Sequence, residues 1–304
     1  MAFHNMVNMQ LMMFLLVGIG FLIRKRGIVS GSTRKELVNF CLYVTLPFNI
    51  FHSFQMDWEW SMLTEFAEVL LLSVGYNVLS IAVSFFSYKR KEEGRQKPLR
   101  YGTIVSNGGF LGNPVVEGIY GAQGLFYASV FMLPVRIVMW SLGTSCFIKS
   151  KVNPGSVVKK VFTHPCIVSI YLGMAVMISG LEFPQFLDNT ISGISGCNTP
   201  LSMMLVGMML AEMNCRGLFD RTMGYYVAVR LLAIPAGMFA ITAFLPLPAV
   251  LRGTAVIMAG MPAPVTTALL SSKYGADEKY ATGMIFVSTL LSLVTLPIWC
   301  LILG

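Results

Sequence analysis

Apolar runs of about 20 residues recur along this chain, separated by short clusters of charge. At 1.5 Å per residue, such a run as a helix spans the ~30 Å hydrocarbon core of a bilayer. No water is present there to satisfy backbone groups, so only helices or closed barrels cross it. Long continuous runs, rather than ten-residue alternation, select helices. Composition agrees: 55% of the 304 residues are hydrophobic, only 12% are charged, and the mean hydropathy is +0.70. Soluble domains carry roughly 25% charged residues, so a water-soluble fold of this length lacks the polar surface to cover itself.

The pattern predicts ten spans, near 5–23, 36–54, 62–87, 100–120, 124–148, 161–180, 187–212, 222–245, 251–272 and 279–302. The net charge of +8 comes from basic residues between the spans, so it implies no nucleic-acid partner. Of the 22 basic residues, 19 fall in the loops after the first, third, fifth, seventh and ninth spans, including Arg24–Arg26, Lys89–Lys91 and Lys149, Lys151, Lys159, Lys160 and Arg216. The opposite loops hold Asp57, Glu59, Glu182 and Asp188, with Arg252 as their one basic residue. The positive-inside rule then places both termini outside the cytoplasmic membrane. The first run lacks a basic n-region and a small-residue cleavage pattern, which reads as a retained helix rather than a removed signal peptide. The six cysteines, Cys41, Cys146, Cys166, Cys197, Cys215 and Cys300, form no CxxC pair, and His4, His52 and His164 are far apart. No metal site or cofactor is expected from them.

Ten spans divide into five and five, and an odd number per half forces opposite orientations. The halves are 1–150 and 151–304. Thr45-Leu46-Pro47 and Thr199-Pro200-Leu201 lie 154 residues apart, and Tyr120-Gly121-Ala122-Gln123 precedes Tyr274-Gly275-Ala276-Asp277 by the same offset. The fourth span carries Asn107-Gly108-Gly109-Phe110-Leu111-Gly112-Asn113-Pro114, and the ninth carries Ala259-Gly260-Met261-Pro262-Ala263-Pro264. Both read Gly-x-Pro near mid-span. Proline removes a donor and clashes with the preceding turn, and glycine weakens the helix further. Such breaks are tolerated where they line a polar cavity or are buried in protein. Matched breaks in inverted halves point to a transporter's midplane site, whose half-helix amino ends favour an anion. The competing reading is a pair of ordinary kinks. Pro114 and Pro262 are expected to start the second half-helices, with unwound backbone at 108–113 and 260–263.

Over Asn107–Gly121, with its Asn-x-x-x-x-Gly-x-Pro and later Tyr-Gly, and over Met261–Leu296, the chain resembles the auxin efflux carrier family, which includes PIN-type carriers and bacterial dicarboxylate permeases. The resemblance covers essentially the whole chain. It implies an all-α membrane protein with a bile-acid-symporter-like fold: ten transmembrane helices as two inverted five-helix repeats, with broken, crossing fourth and ninth helices. Asn107 and Pro114 match the family's crossover motif, and pairing into a homodimer is common among such folds. The cytoplasmic loop after the fifth span is far shorter than in long PIN carriers, which favours a compact prokaryotic permease.

Candidate substrate-binding residues are Asn107, Gly109, Gly112, Asn113, Pro114, Met261, Pro262 and Pro264 at the breaks, with Thr45 and Asn49 on the second span and Arg136 as a counter-charge. Glu117, Asn198 and Thr199 are candidates for coupling to a proton or sodium gradient. Charge inside an apolar span is costly, about 2.5–3.5 kcal/mol on insertion scales, so Glu117, Arg136 and Arg230 must face protein or water. Arg136 is read either as a substrate counter-charge or as the ion-pair partner of Glu117. Arg230, about eight residues into its span, is close enough to snorkel partly towards the cytoplasm, and a structural role is favoured for it over a functional one. The function expected is secondary transport of a small organic anion by alternating access. The alternatives are an anion channel and a transporter-derived sensor. An enzyme is disfavoured, because no HExxH, GxSxG or paired aspartates appear.

Overall fold

A computed structural model of the chain describes residues 2–55, 61–89, 91–147, 155, 159, 162–212 and 220–303. Arg90, Asp57, Glu59, Lys149, Lys151, Lys160, Cys215 and Arg216, used above for topology or cysteine chemistry, lie outside the described residues. Every regular element described is a helix. In order they are α1 (Ala2–Lys25), α2 (Gly31–Phe40), α3 (Leu46–His52), α4 (Ser61–Ser87), α5 (Glu93–Ile104), α6 (Asn113–Val138), α7 (Pro165–Ser179), α8 (Gln185–Gly196), α9 (Asn198–Glu212), α10 (Arg221–Ala228), α11 (Ile234–Ala243), α12 (Ala249–Ala259), α13 (Thr266–Lys273) and α14 (Glu278–Leu303). No disulfide joins the described cysteines.

Among the described residues, five stretches are long and apolar enough to cross a membrane: Met62–Ser87, Gly108–Gly143, Gln185–Glu212, Arg221–Ala243 and Glu278–Leu303; Pro165–Ser179 and Ala249–Ala259 are shorter apolar helices. Large apolar side chains stay exposed along them, among them Leu71 (71%), Val78 (63%) and Phe86 (73%) on α4. In water such a face would be an association hazard; lipid covers it without cost.

Helix starts follow local chemistry. Ser30 Oγ accepts from the Thr33 amide at 3.0 Å, Asp220 Oδ1 from Met223 at 2.7 Å and Asp277 Oδ1 from Tyr280 at 2.9 Å. These side chains satisfy amides that no preceding turn can reach.

Among the described residues, four π-helical turns interrupt the helices: Cys41–Thr45, Gly108–Gly112, Met139–Gly143 and Val229–Ala233. Three of them end two residues before a proline: Pro47, Pro114 and Pro235. Proline clashes with the carbonyl four residues back and cannot bond it, so the ladder relaxes into the wider register. The carbonyl that Pro235 leaves unbonded belongs to Leu231, and Trp299 Nε1 donates to it at 3.0 Å.

The chain forms two compact units, each drawing on both sequence halves. One comprises Met1–Glu68, Gly109–Val130 and Phe162–Glu212; the other comprises Val69–Gly108, Phe131–Val161 and Met213–Gly304. In the first, α1 and α9 pack backbone to backbone: an added Cβ at Gly20 would meet the Met204 carbonyl oxygen at 2.0 Å, and one at Gly207 the Val17 oxygen at 1.9 Å. Small residues permit such approach where no hydrophobic effect drives helices together. Arg24 of α1 and Arg34 of α2 both pair with Glu212 of α9, the latter at 2.9 Å. In the second unit, Tyr88, Leu99, Met223, Tyr226, Met284 and Ile285 form a buried cluster between α4, α5, α10 and α14.

The matched Tyr-Gly-Ala motifs share a positive φ at their glycine. Gly121 has φ 66° and Gly275 has φ 64°, a backbone state glycine reaches without Cβ strain. Gly121 also divides α6, with ψ −155° there, where sequence places the boundary between the fourth and fifth spans.

Candidate functional site

In the second unit, the two helix breaks touch. The first half-helix, α5, ends at Ile104, and Val105 is extended at φ −103°, ψ 134°. The Asn107 amide, left without a helical partner, donates to the Pro262 carbonyl at 2.9 Å. Across the second break, the Ala263 amide donates to Ser288 Oγ of α14 at 3.2 Å. Met261 and Ala263 are fully buried, as are Pro262 and Pro264 by class.

The breaks differ from expectation in register. Unwinding occurs at 105–107, ahead of the expected 108–113, and helix resumes as the π turn Gly108–Gly112. Pro114 stands at the second position of α6, as expected, but Pro262 starts nothing: helix resumes at Thr266. Pro264 is the cause, since proline steers the residue before it away from helical geometry, which holds Ala263 in the gap.

The carboxyl end of α5 leaves carbonyls without backbone partners. Three consecutive ones are capped by side chains of the same unit. Tyr226 OH donates to Gly102 O at 3.1 Å, Arg230 Nη1 to Thr103 O at 3.4 Å and Tyr76 OH to Ile104 O at 3.3 Å. Gly102 fits closely there: a Cβ would lie 3.0 Å from the Tyr226 hydroxyl and 3.1 Å from Met284 Cε, so both side chains would have to shift. Arg230 is 0% exposed, so it does not snorkel. The π turn Val229–Ala233 holds Arg230, and its added residue changes the direction of the side chain from that of an unbroken helix. A cation here faces the negative end of a half-helix dipole.

In the first unit, five predicted residues join one hydrogen-bonded network. Glu117 Oε1 accepts from Asn49 Nδ2 and Oε2 from Thr199 Oγ1, both at 2.9 Å. Asn49 Nδ2 also reaches Ser195 Oγ at 3.2 Å, and Asn49 Oδ1 accepts from Asn198 Nδ2 at 3.2 Å. Asn198 Oδ1 accepts from Thr45 Oγ1 at 3.2 Å. Asn49 and Asn198 are both 0% exposed. The helices α3, α6, α8 and α9 supply these groups, and the π turn Cys41–Thr45 supplies Thr45. Gly109, Gly112, Asn113 and Pro114 belong to this unit too. Asn113 is 1% exposed, and neither amide atom of its side chain has a hydrogen-bond partner among the described residues. Arg136 is 8% exposed and belongs to the second unit. Residues missed from sequence are Ser195, Tyr76, Tyr226 and Ser288. Serine and tyrosine in an apolar run carry no spacing signal. The three capping groups on α5 could have been sought as partners for a half-helix known to end there.

The family model for membrane transport proteins matches residues 5–154 and 151–300. An uncharacterized transporter of Methanothermobacter thermautotrophicus is 26% identical over 307 residues, covering 100% of both chains. Another, from Methanocaldococcus jannaschii, is 25% identical over 302 residues, 96% of this chain and 97% of its own. A Rhizobium meliloti protein provisionally named a malonate transporter is 22% identical over 300 residues, 93% of this chain and 91% of its own.

Proposed function

Because the chain belongs to the membrane transport protein family, whose members resemble auxin efflux carriers, we propose that it is a secondary active transporter of a small organic anion, working by alternating access. It is an integral membrane transporter and not an enzyme. The anion binds at the crossover of the broken fourth and ninth helices, within a fold of ten spans in two inverted repeats with both termini outside. The observation that carries this reading is the backbone bond from Asn107 to Pro262. Irregular backbone inside a membrane protein has a use where it binds something polar. The left-handed glycines of the two Tyr-Gly-Ala motifs support the repeat. The name of the Rhizobium relative makes malonate the first substrate to test.

Uptake of labelled malonate, succinate, acetate and benzoate into proteoliposomes tests the function. Saturable uptake of at least one, with exchange against internal unlabelled anion, is expected; unsaturable flux that follows voltage alone would make it a channel. Topology has its own check. A reporter after Gly304 is expected to be active outside, and one near Gly94 inside. A cytoplasmic carboxyl terminus would remove the ten-span, inverted-repeat reading.

Coupling is assigned to Glu117 and a proton. The donors on its two oxygens, Asn49 and Thr199, are neutral, so the carboxyl can change charge without breaking an ion pair with them. Glu117→Gln keeps the shape: its amide oxygen can take the Asn49 bond and its amine can donate to a rotated Thr199 hydroxyl. The variant should fold normally and exchange anion, yet lose accumulation driven by a pH gradient. Accumulation equal to that of the parent would make Glu117 structural.

A further inference from the structure

Arg230 is a buried cation with an unfilled side. Its Nη1 is spent on the Thr103 carbonyl, while Nε and Nη2 have no hydrogen-bond partner among the described residues. Those two nitrogens form one edge of the guanidinium, with parallel N–H bonds at the spacing of two carboxylate oxygens. The atoms left over are therefore the pair that binds a carboxylate side-on. The Tyr76 ring lies to one side, its centroid 5.7 Å from the guanidinium carbon. Two sides of the group are thus assigned, and the edge remains.

Nothing in the unit neutralises this charge fully. No carboxylate pairs with Arg230 among the described residues. The unit's described acids are Glu92, Glu93, Asp220, Asp277 and Glu278, all at the starts of helices. Asp220 and Asp277 engage Arg95 at 3.2 and 3.5 Å, and Glu93 engages Lys97 at 3.0 Å. Arg230 lies ten residues beyond Asp220, about 15 Å along a helix. The α5 carbonyls offer the partial charge of a helix end, roughly half a unit. A buried full charge needs more than that.

We propose that the Nε–Nη2 edge of Arg230 is the binding face for the carboxylate of the transported anion, with Nη1 holding the guanidinium in place on the end of the broken helix. Arg230 then does two jobs at once: it caps α5 and presents a fork beside the break. Ser106 lies in the break between Ile104 and Asn107, and its buried hydroxyl also has no partner; it is a second donor for the same anion. The proposal rests on the reading of the chain as an organic-anion carrier and identifies which cation recognises the anion, a role that sequence alone gave to Arg136.

The test uses the full chain in detergent, with thermal unfolding followed during titration of potassium malonate, succinate, acetate and benzoate against potassium chloride at constant ionic strength. At least one carboxylate should stabilise the parent saturably. Arg230→Gln should weaken that anion by about tenfold or more, and Arg230→Lys by about threefold or more, because lysine keeps charge but lacks the fork. Parent-like affinity in Arg230→Gln would overturn the proposal and leave anion transport standing, with Arg230 reduced to a cap. A parent indifferent to every carboxylate would overturn the anion reading itself, and this proposal with it. If Arg230→Gln does not fold, Arg230→Lys decides alone: a loss under threefold overturns the assignment.

Discussion

Replacing Gly207 by valine should leave almost no folded protein. A Cβ at that position would sit 1.9 Å from the Val17 carbonyl oxygen and 2.8 Å from the Phe21 nitrogen. Both are backbone atoms of α1, so no side-chain rotation relieves the clash, and the two helices must separate along their contact. Overpacking of a side chain against side chains costs about 1–3 kcal/mol; forcing two backbones apart exceeds that range. Lipid offers no hydrophobic penalty to hold the pair together once packing is lost. Gly18→Val is the control, since a Cβ at Gly18 meets nothing within 4 Å. Size-exclusion profiles and melting temperatures of the two variants are the measurement. A Gly207→Val protein that elutes and melts like Gly18→Val would show that α1 and α9 do not pack on these glycines.

Asn49→Ala should be the most damaging change among the polar residues, at about 3 kcal/mol. Asn49 is 0% exposed and uses both ends of its amide: one for Glu117 and Ser195, the other for Asn198. Its loss strips the half-buried Glu117 carboxylate of a donor and leaves the buried Asn198 amine without an acceptor. Each orphaned group costs roughly 1–3 kcal/mol in a setting where water cannot replace the partner. Because the groups act together, Asn49→Ala and Glu117→Ala combined should cost less than the sum of the two. Denaturation of the single and double variants measures the difference. Additivity within about 0.5 kcal/mol would mean that the network contributes nothing as a unit.

The breaks themselves were legible in the sequence because proline and glycine act locally, and a local cause leaves a local mark. Asn107, Pro262 and the Tyr-Gly-Ala glycines are of this kind. The network around Glu117 was legible only as a set of candidates. Asn49 and Thr199 lie 68 and 82 residues from Glu117, and no periodicity links them. An ion pair with Glu117 was one of two readings of Arg136; the oxygens of Glu117 are held by two neutral side chains. The register error at the second break has a local origin: Pro262 was taken as the helix start, whereas Pro264 keeps Ala263 out of the helix, which resumes at Thr266. Arg230 was placed by its depth in the span alone, whereas the carbonyl it caps, that of Thr103, lies 127 residues away in sequence. The exposed apolar face of α4, by contrast, follows from hydropathy alone.

Those wide turns make chain length a variable separate from side-chain identity. Each holds one residue more than an α-helix would place there, so the stretches on either side run out of phase by about 100°. The helix behaves as two screws joined with an offset, and the offset decides which residues of the second screw face inward. A substitution near Val229–Ala233 alters one contact. A single-residue deletion there would restore an even thread and rotate everything from Ile234 to Ala243 away from its partners at once. For these helices, insertions and deletions are the harsher class of change, even where every neighbouring substitution is absorbed.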